Sequence, residues 1–111
     1  MESQQAVQAL SALAQPHRLA VFRRLVVAGH SGMTPGVLAE HLGLPAATLS
    51  FHLKELLNAS LVSQERDGRN LIYRARFDQT QALVGFLTEN CCSGAACVDV
   101  APVCSNCEAL A

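Results

Sequence analysis

Between residues 34 and 76 the chain changes its hydrophobic period once, directly after two short helical repeats. Thr34-Pro35 opens the first repeat, Leu38 and Leu42 face inward one turn apart, and Gly43 ends it. Pro45 opens the second, which carries Leu49, Leu53, Leu56 and Leu57 on one face as far as Asn58. The period then shortens to that of strands over Leu61–Arg66 and Leu71–Arg76. Asp67-Gly68 lies between them, and glycine supplies the positive φ that a tight hairpin turn needs. Two helices joined by a tight turn and followed at once by a hairpin fit few folds. The order predicts a mainly α fold with a small β-hairpin: a winged helix-turn-helix.

Three further helices are expected around this unit. Ser3 caps a helix with Val7, Leu10, Leu13 and Ala14 as its apolar stripe. Pro16 begins a second, with Leu19, Phe22, Leu25 and Val26 inward and Gly29 as its stop. Asp78 and Gln81 read as a capping box for a last helix that buries Ala82, Leu83, Phe86 and Leu87 and ends near Asn90. Only 5% of the 111 residues are aromatic and none is Trp, so the core must be aliphatic. A core of this size gains from a second copy, and a homodimer is expected.

Charge narrows the function. The net charge is −1, yet all eight Lys and Arg residues fall between Arg18 and Arg76. That stretch holds four acids (Glu40, Glu55, Glu65, Asp67), which leaves it at +4. A basic middle between acidic ends suits a phosphate backbone and makes double-stranded DNA the expected partner. With its apolar face packed inward, the fourth helix offers Ala46, Ala47, Ser50, Phe51 and Lys54 to a major groove. Ser50 suits a base edge or a phosphate, Lys54 a phosphate, and Phe51 and Ala47 thymine methyl groups. Arg66, Arg69 and Asn70 of the hairpin suit the flanking backbone or the minor groove. His52, one residue off the apolar stripe, reads as a partly buried, hydrogen-bonded histidine; His17, His30 and His41 read as surface or capping residues. No apolar run reaches the roughly 18 residues that span a bilayer, and the amino-terminal residues lack the pattern of a secretion signal. A cytoplasmic protein without membrane contact is expected.

These segments resemble the ArsR/SmtB repressors. Leu13-Ala14-Gln15-Pro16-His17-Arg18-Leu19 is similar to that family's Leu-Ala-Asp-Pro-Thr-Arg-Leu segment. Leu38-Ala39-Glu40-His41-Leu42-Gly43-Leu44 and Thr48-Leu49-Ser50-Phe51-His52-Leu53-Lys54-Glu55-Leu56 are similar to its recognition unit. Leu61-Val62, Asp67-Gly68-Arg69 and Tyr73 are similar to its wing. The resemblance spans roughly residues 6–90 and implies a homodimer on a palindromic operator, released when a toxic ion binds. The chain also departs from the family. The start of its third helix, Met33-Thr34-Pro35-Gly36-Val37-Leu38, has no thiol where many arsenic sensors carry a cysteine box. No histidine follows Asp78, where zinc sensors carry ligands, and Pro45 takes the place of a polar helix cap. Sensing must then fall to another part of the chain.

That part is the end of the sequence. Residues 91–111 hold all five cysteines and no Lys, Arg or His, and follow the 1–90 DNA-binding and dimerisation domain as a metalloid-sensing tail. Without a base or cation to activate a thiol, catalysis is not expected. Adjacent cysteines on a helix point about 100° apart, so Cys91 and Cys92 share an ion only where the helix unwinds. A return over Ser93–Ala96 then brings in Cys97. Three thiolates suit pyramidal As(III) or Sb(III), whereas zinc asks for four ligands. The Glu-Asn-Cys-Cys junction resembles arsenite-responsive members with a carboxy-terminal site. Cys104 and Cys107 form a Cys-x-x-Cys pair, which leaves open a zinc, cadmium or lead response, a thiol redox switch, or a structural zinc module.

Overall fold

The chain was analysed as a computed structural model that describes residues 1–90. Helix α3 (Pro35–Leu42) starts where Thr34 predicts, its hydroxyl accepting the Val37 N–H at 3.4 Å. It stops at Gly43, whose φ of 64° turns the chain into left-handed space. Helix α4 (Ala46–Asn58) follows after three residues. Leu38 of α3 and Leu49, Leu53 and Leu56 of α4 are fully buried, and Leu42 and Leu57 are half-buried at the margin. They close on Val21, Phe22 and Leu25 of helix α2 (Pro16–Ala28). Gln15 fixes the start of α2 by accepting the Arg18 N–H at 2.7 Å. Truncation of one such buried leucine costs about 2–5 kcal/mol, enough to hold α4 at one angle against α2 and α3.

The hairpin pairs β1 (Val62–Asp67) with β2 (Asn70–Ala75) antiparallel, from Val62 opposite Ala75 to Asp67 opposite Asn70. Strand β1 lies one residue later than expected and β2 one residue earlier, so both reach nearer the turn, and the two-residue turn is Gly68-Arg69 rather than Asp67-Gly68. Only the first turn residue has positive φ (64°), as in a type II′ turn. Beyond Val62, β1 is exposed, whereas Tyr73 and Ala75 of β2 are buried. The hairpin is therefore rooted at one end and free at the other. Met33 strengthens the root by exchanging two backbone hydrogen bonds with Tyr73, at 2.8 and 2.9 Å.

The outer helices are rotated relative to their expected stripes. In α1 (Ser3–Leu13) the buried residues are Ala6, Ala9 and Ala12, while Val7 is 59% and Leu10 43% exposed. Alanine lets α1 approach its neighbours closely, and the larger side chains turn outward. Leu13 is half-buried and Ala14 exposed. Ser3 is the first helical residue and not the cap; Glu2 precedes it, its N–H donating to Gln5 Oε1 at 2.8 Å. In α2, Leu19 and Val26 are likewise exposed and Val21 takes the inward place. Helix α5 (Phe77–Leu87) starts early, with Arg76 as its N-cap. The Asp78–Gln81 box does not form, and the Asp78 carboxylate instead accepts from Arg76 Nη2 at 2.9 Å. Of its expected inward residues Leu83 is buried, Ala82 and Phe86 are half-buried, and Leu87 is exposed. The helix ends at Leu87, three residues before Asn90, which adopts φ 59°. No helix among the described residues is long and apolar enough to cross a membrane.

Candidate DNA-reading surface

Burial of Leu49, His52, Leu53 and Leu56 on one side of α4 leaves the other side open. Ala46, Ala47, Ser50, Phe51 and Lys54 are all exposed there, as the periodicity predicts. Phe51 keeps 54% of its surface free, a large exposure for an apolar ring on a helix already anchored by four buried side chains.

The wing divides its arginines into two kinds. Arg74 Nε donates to the His30 carbonyl at 2.7 Å and Nη1 to Glu65 Oε1 at 2.8 Å. Arg76 is bonded to Asp78, and that hydrogen bond is the first cause holding the Asp78 carboxyl below its ordinary pKa. Arg66 and Arg69, by contrast, are exposed and make no ion pair or side-chain hydrogen bond among the described residues, and Asn70 beside them is exposed. The residues named from sequence are thus the ones whose donors face solvent, and Arg74 and Arg76 are structural.

Around the edge of α4 the structure shows more than the sequence. His52 is buried as expected, but its Nδ1 has no hydrogen-bond partner. Its ring stacks on His17 at 6.1 Å and 30°. Burial, then the neighbouring Arg18 and His17 charges, hold its pKa below that of a free histidine. Arg18 lies over the Phe51 ring, 5.8 Å from the centroid. His41 Nδ1 is 2.7 Å from Arg24 Nη2, and the exposed His30 meets Phe77 edge-on at 5.9 Å. Arg18 and His17 were legible only as part of a motif, since contacts across more than thirty residues leave no periodic signal.

Among the described residues no three His, Cys, Asp or Glu side chains gather into a metal-binding group. Cys91, Cys92, Cys97, Cys104 and Cys107 lie outside the described residues.

A trihelical core, an open α4 face and a rooted basic wing define a winged-helix DNA-binding regulator. Residues 13–65 match a helix-turn-helix domain family. The chain is 35% identical over 81 residues to YceK of Bacillus subtilis, an uncharacterized HTH-type transcriptional regulator, covering 72% of this chain and 80% of that protein. It is 40% identical over 52 residues to KmtR of Mycobacterium tuberculosis, an HTH-type transcriptional regulator, but this match covers 47% of the chain and only 40% of KmtR. Among solved structures it is similar to the homodimeric winged helix-turn-helix DNA-binding domain of a possible ArsR-family regulator from Mycobacterium bovis. The identity there is 25% and the TM-score 0.63, over 83% of this chain and 85% of that one. The chain belongs to the HTH-type transcriptional regulators, and it shares its fold with that possible ArsR-family domain.

Proposed function

We propose that the protein is a metalloid-responsive repressor, cytoplasmic and homodimeric, that binds a palindromic operator and leaves it when As(III) or Sb(III) binds Cys91, Cys92 and Cys97. The observation that carries this reading is a position in the chain. The cysteines begin at residue 91, four positions after the last residue of α5 and directly after the left-handed Asn90. Helices α1 and α5 touch each other, and each exposes an apolar pair one turn apart, Val7 with Leu10 and Val84 with Leu87. A second copy of the chain would cover these pairs, and the homodimeric M. bovis domain lends support. An ion held by thiolates at the end of α5 then acts on the dimer seam. It changes the spacing of two α4 helices that must meet major grooves roughly 34 Å apart. A coupling of about 1–3 kcal/mol lowers operator affinity some 5- to 150-fold.

The operator is selected from a random duplex pool with the native protein. Binding is then measured with and without arsenite and antimonite, for the native chain and for Cys91→Ser, Cys92→Ser and Cys97→Ser. The expected result is release of the native protein and retention of each variant. Normal release of all three variants would remove these thiols from the site. The Cys104–Cys107 pair favours a second reading, a zinc, cadmium or lead response. Release by those ions, lost in Cys104→Ser and Cys107→Ser, would establish it, and release by oxidant alone would establish a thiol switch. Zinc retained through purification, with DNA binding indifferent to every added ion, would point to a structural module. In the same assay Arg69→Ala should weaken binding to any duplex and reduce the slope of log K against log salt by about 0.9. An unchanged slope would take Arg69 off the DNA backbone.

A further inference from the structure

Two consecutive residues in the first turn of α2 grip two consecutive residues of the recognition helix. His17 stacks on His52, and Arg18 lies over Phe51. Arg18 is itself held in place. Gln15 accepts its backbone N–H at 2.7 Å, and its Nη1 donates to the Ala12 carbonyl at 3.4 Å, bridging the corner between α1 and α2. Its Nε is buried and has no partner. The planar guanidinium is thus fixed on the protein side of a ring whose remaining surface, 54%, is free.

We infer that Arg18 is a positioning residue for sequence readout: it holds the Phe51 ring in one orientation at the edge of the α4 face, so that the ring meets one base position and no other. The inference rests on the reading of Phe51 as a base contact. An aromatic ring on an exposed helix turns about two side-chain bonds, and each alternative orientation presents a different edge to the groove. A guanidinium within about 6 Å of the ring centroid favours one of them electrostatically. The His52 ring, itself stacked on His17, also lies beside Phe51, with ring centroids 5.8 Å apart and planes tilted by 60°. Arg18 does this from the first turn of a different helix, so its effect is on discrimination between sequences. A residue that bound phosphate would instead strengthen all sequences alike.

The test uses the full chain, the operator selected by the native protein, and a scrambled duplex of the same length. Arg18→Met removes the charge and keeps an unbranched apolar stem. The operator-to-scrambled affinity ratio should fall about two- to five-fold, the worth of one exposed cation–π contact. Affinity for the scrambled duplex and its salt slope should not change. In a Phe51→Ala background Arg18→Met should cause no further loss. Repeated selection with either variant should lose its preference at the same base position. Equal weakening on both duplexes with a smaller salt slope makes Arg18 a phosphate ligand and overturns the inference. A full additional loss in the Phe51→Ala background overturns it as well. If Arg18→Met does not fold, Arg18→Gln, which keeps a donor for the Ala12 carbonyl, is read by the same criteria. A Phe51→Ala protein with a native ratio sinks the reading of Phe51 itself. Native discrimination in the Arg18 variants, beside a loss in Phe51→Ala, sinks this inference alone.

Discussion

At the scale of single residues the side chain most at odds with its place is His52. The sequence predicts its burial, from its position beside Leu49, Leu53 and Leu56, but also predicts a hydrogen bond that is not there. A stripe is a local property, whereas a partner for Nδ1 is a matter of what arrives from α2, and what arrives is the His17 ring and the Arg18 charge. Those two face His52 from α2. Its own helix carries Lys54, which is exposed, and Glu55, which is half-buried. With its pKa held below 6.5 in the folded state, His52 binds a proton more readily unfolded than folded. Its contribution to stability is therefore complete above pH 6.5 and is lost as the pH falls below that value toward the lowered one. Asp78, whose pKa is lowered from 3.8, contributes to a separate loss in stronger acid. Melting curves between pH 8 and 5 should show the midpoint of the native protein falling across the lower half of this range. His52→Gln should be less stable at pH 8 yet show a flatter profile. An unaltered profile in the variant would assign the acid sensitivity to another group.

At the scale of elements the α3–turn–α4 unit was legible almost to the residue, because Thr34, Pro35 and Gly43 each have a local conformational reason for their place. The hairpin keeps the expected alignment of Arg66 with Leu71 but closes one pair further out, because Asp67-Gly68 and Gly68-Arg69 both offer glycine to a tight turn and only the pairing of Asp67 with Asn70 chooses between them. The face of α1 was misread for another reason. Hydrophobicity ranks side chains by size, while helix approach favours the small ones, so Ala6, Ala9 and Ala12 are buried and Val7 and Leu10 are not. What no pattern announces is the root of the wing. At Gly32 φ is 67°, and an added Cβ would lie 2.6 Å from Ile72 Cγ2 and 2.7 Å from the Tyr73 carbonyl oxygen. Gly68 has a similar φ of 64° but open space around it. Gly68→Ala should therefore cost about 1 kcal/mol, the steric penalty of left-handed backbone alone. Gly32→Ala should cost about 3 kcal/mol, because the Met33–Tyr73 bridge must open as well. Denaturant midpoints of the two variants test the ranking, and equal costs would mean that the wing root yields without resistance.

For the whole molecule the proposed homodimer poses the question of which exposed apolar surface would meet a second copy. Val27 is the most exposed large apolar side chain described, at 78%, and exposure alone would choose it. Arrangement chooses differently. Val27 stands on α2 beside Arg23 and Arg24, and burying it would bring two cations out of water. Val7 and Leu10 on α1, and Val84 and Leu87 on α5, carry no Lys or Arg between or beside them, and their helices are already in contact. A surface that turns toward its own copy also gives each protomer's α4 a fixed partner, which a palindromic operator requires. Leu87→Glu should therefore shift the protein from dimer to monomer in sedimentation, and Val27→Glu should leave it dimeric. Once two half-sites are no longer linked, operator affinity in Leu87→Glu should fall on the order of 10²-fold, while binding of a single half-site changes little. A dimeric Leu87→Glu beside a monomeric Val27→Glu would move the seam to α2. Residues 91–111 would then no longer follow the interface helix, and the coupling of bound ion to operator release would need another route.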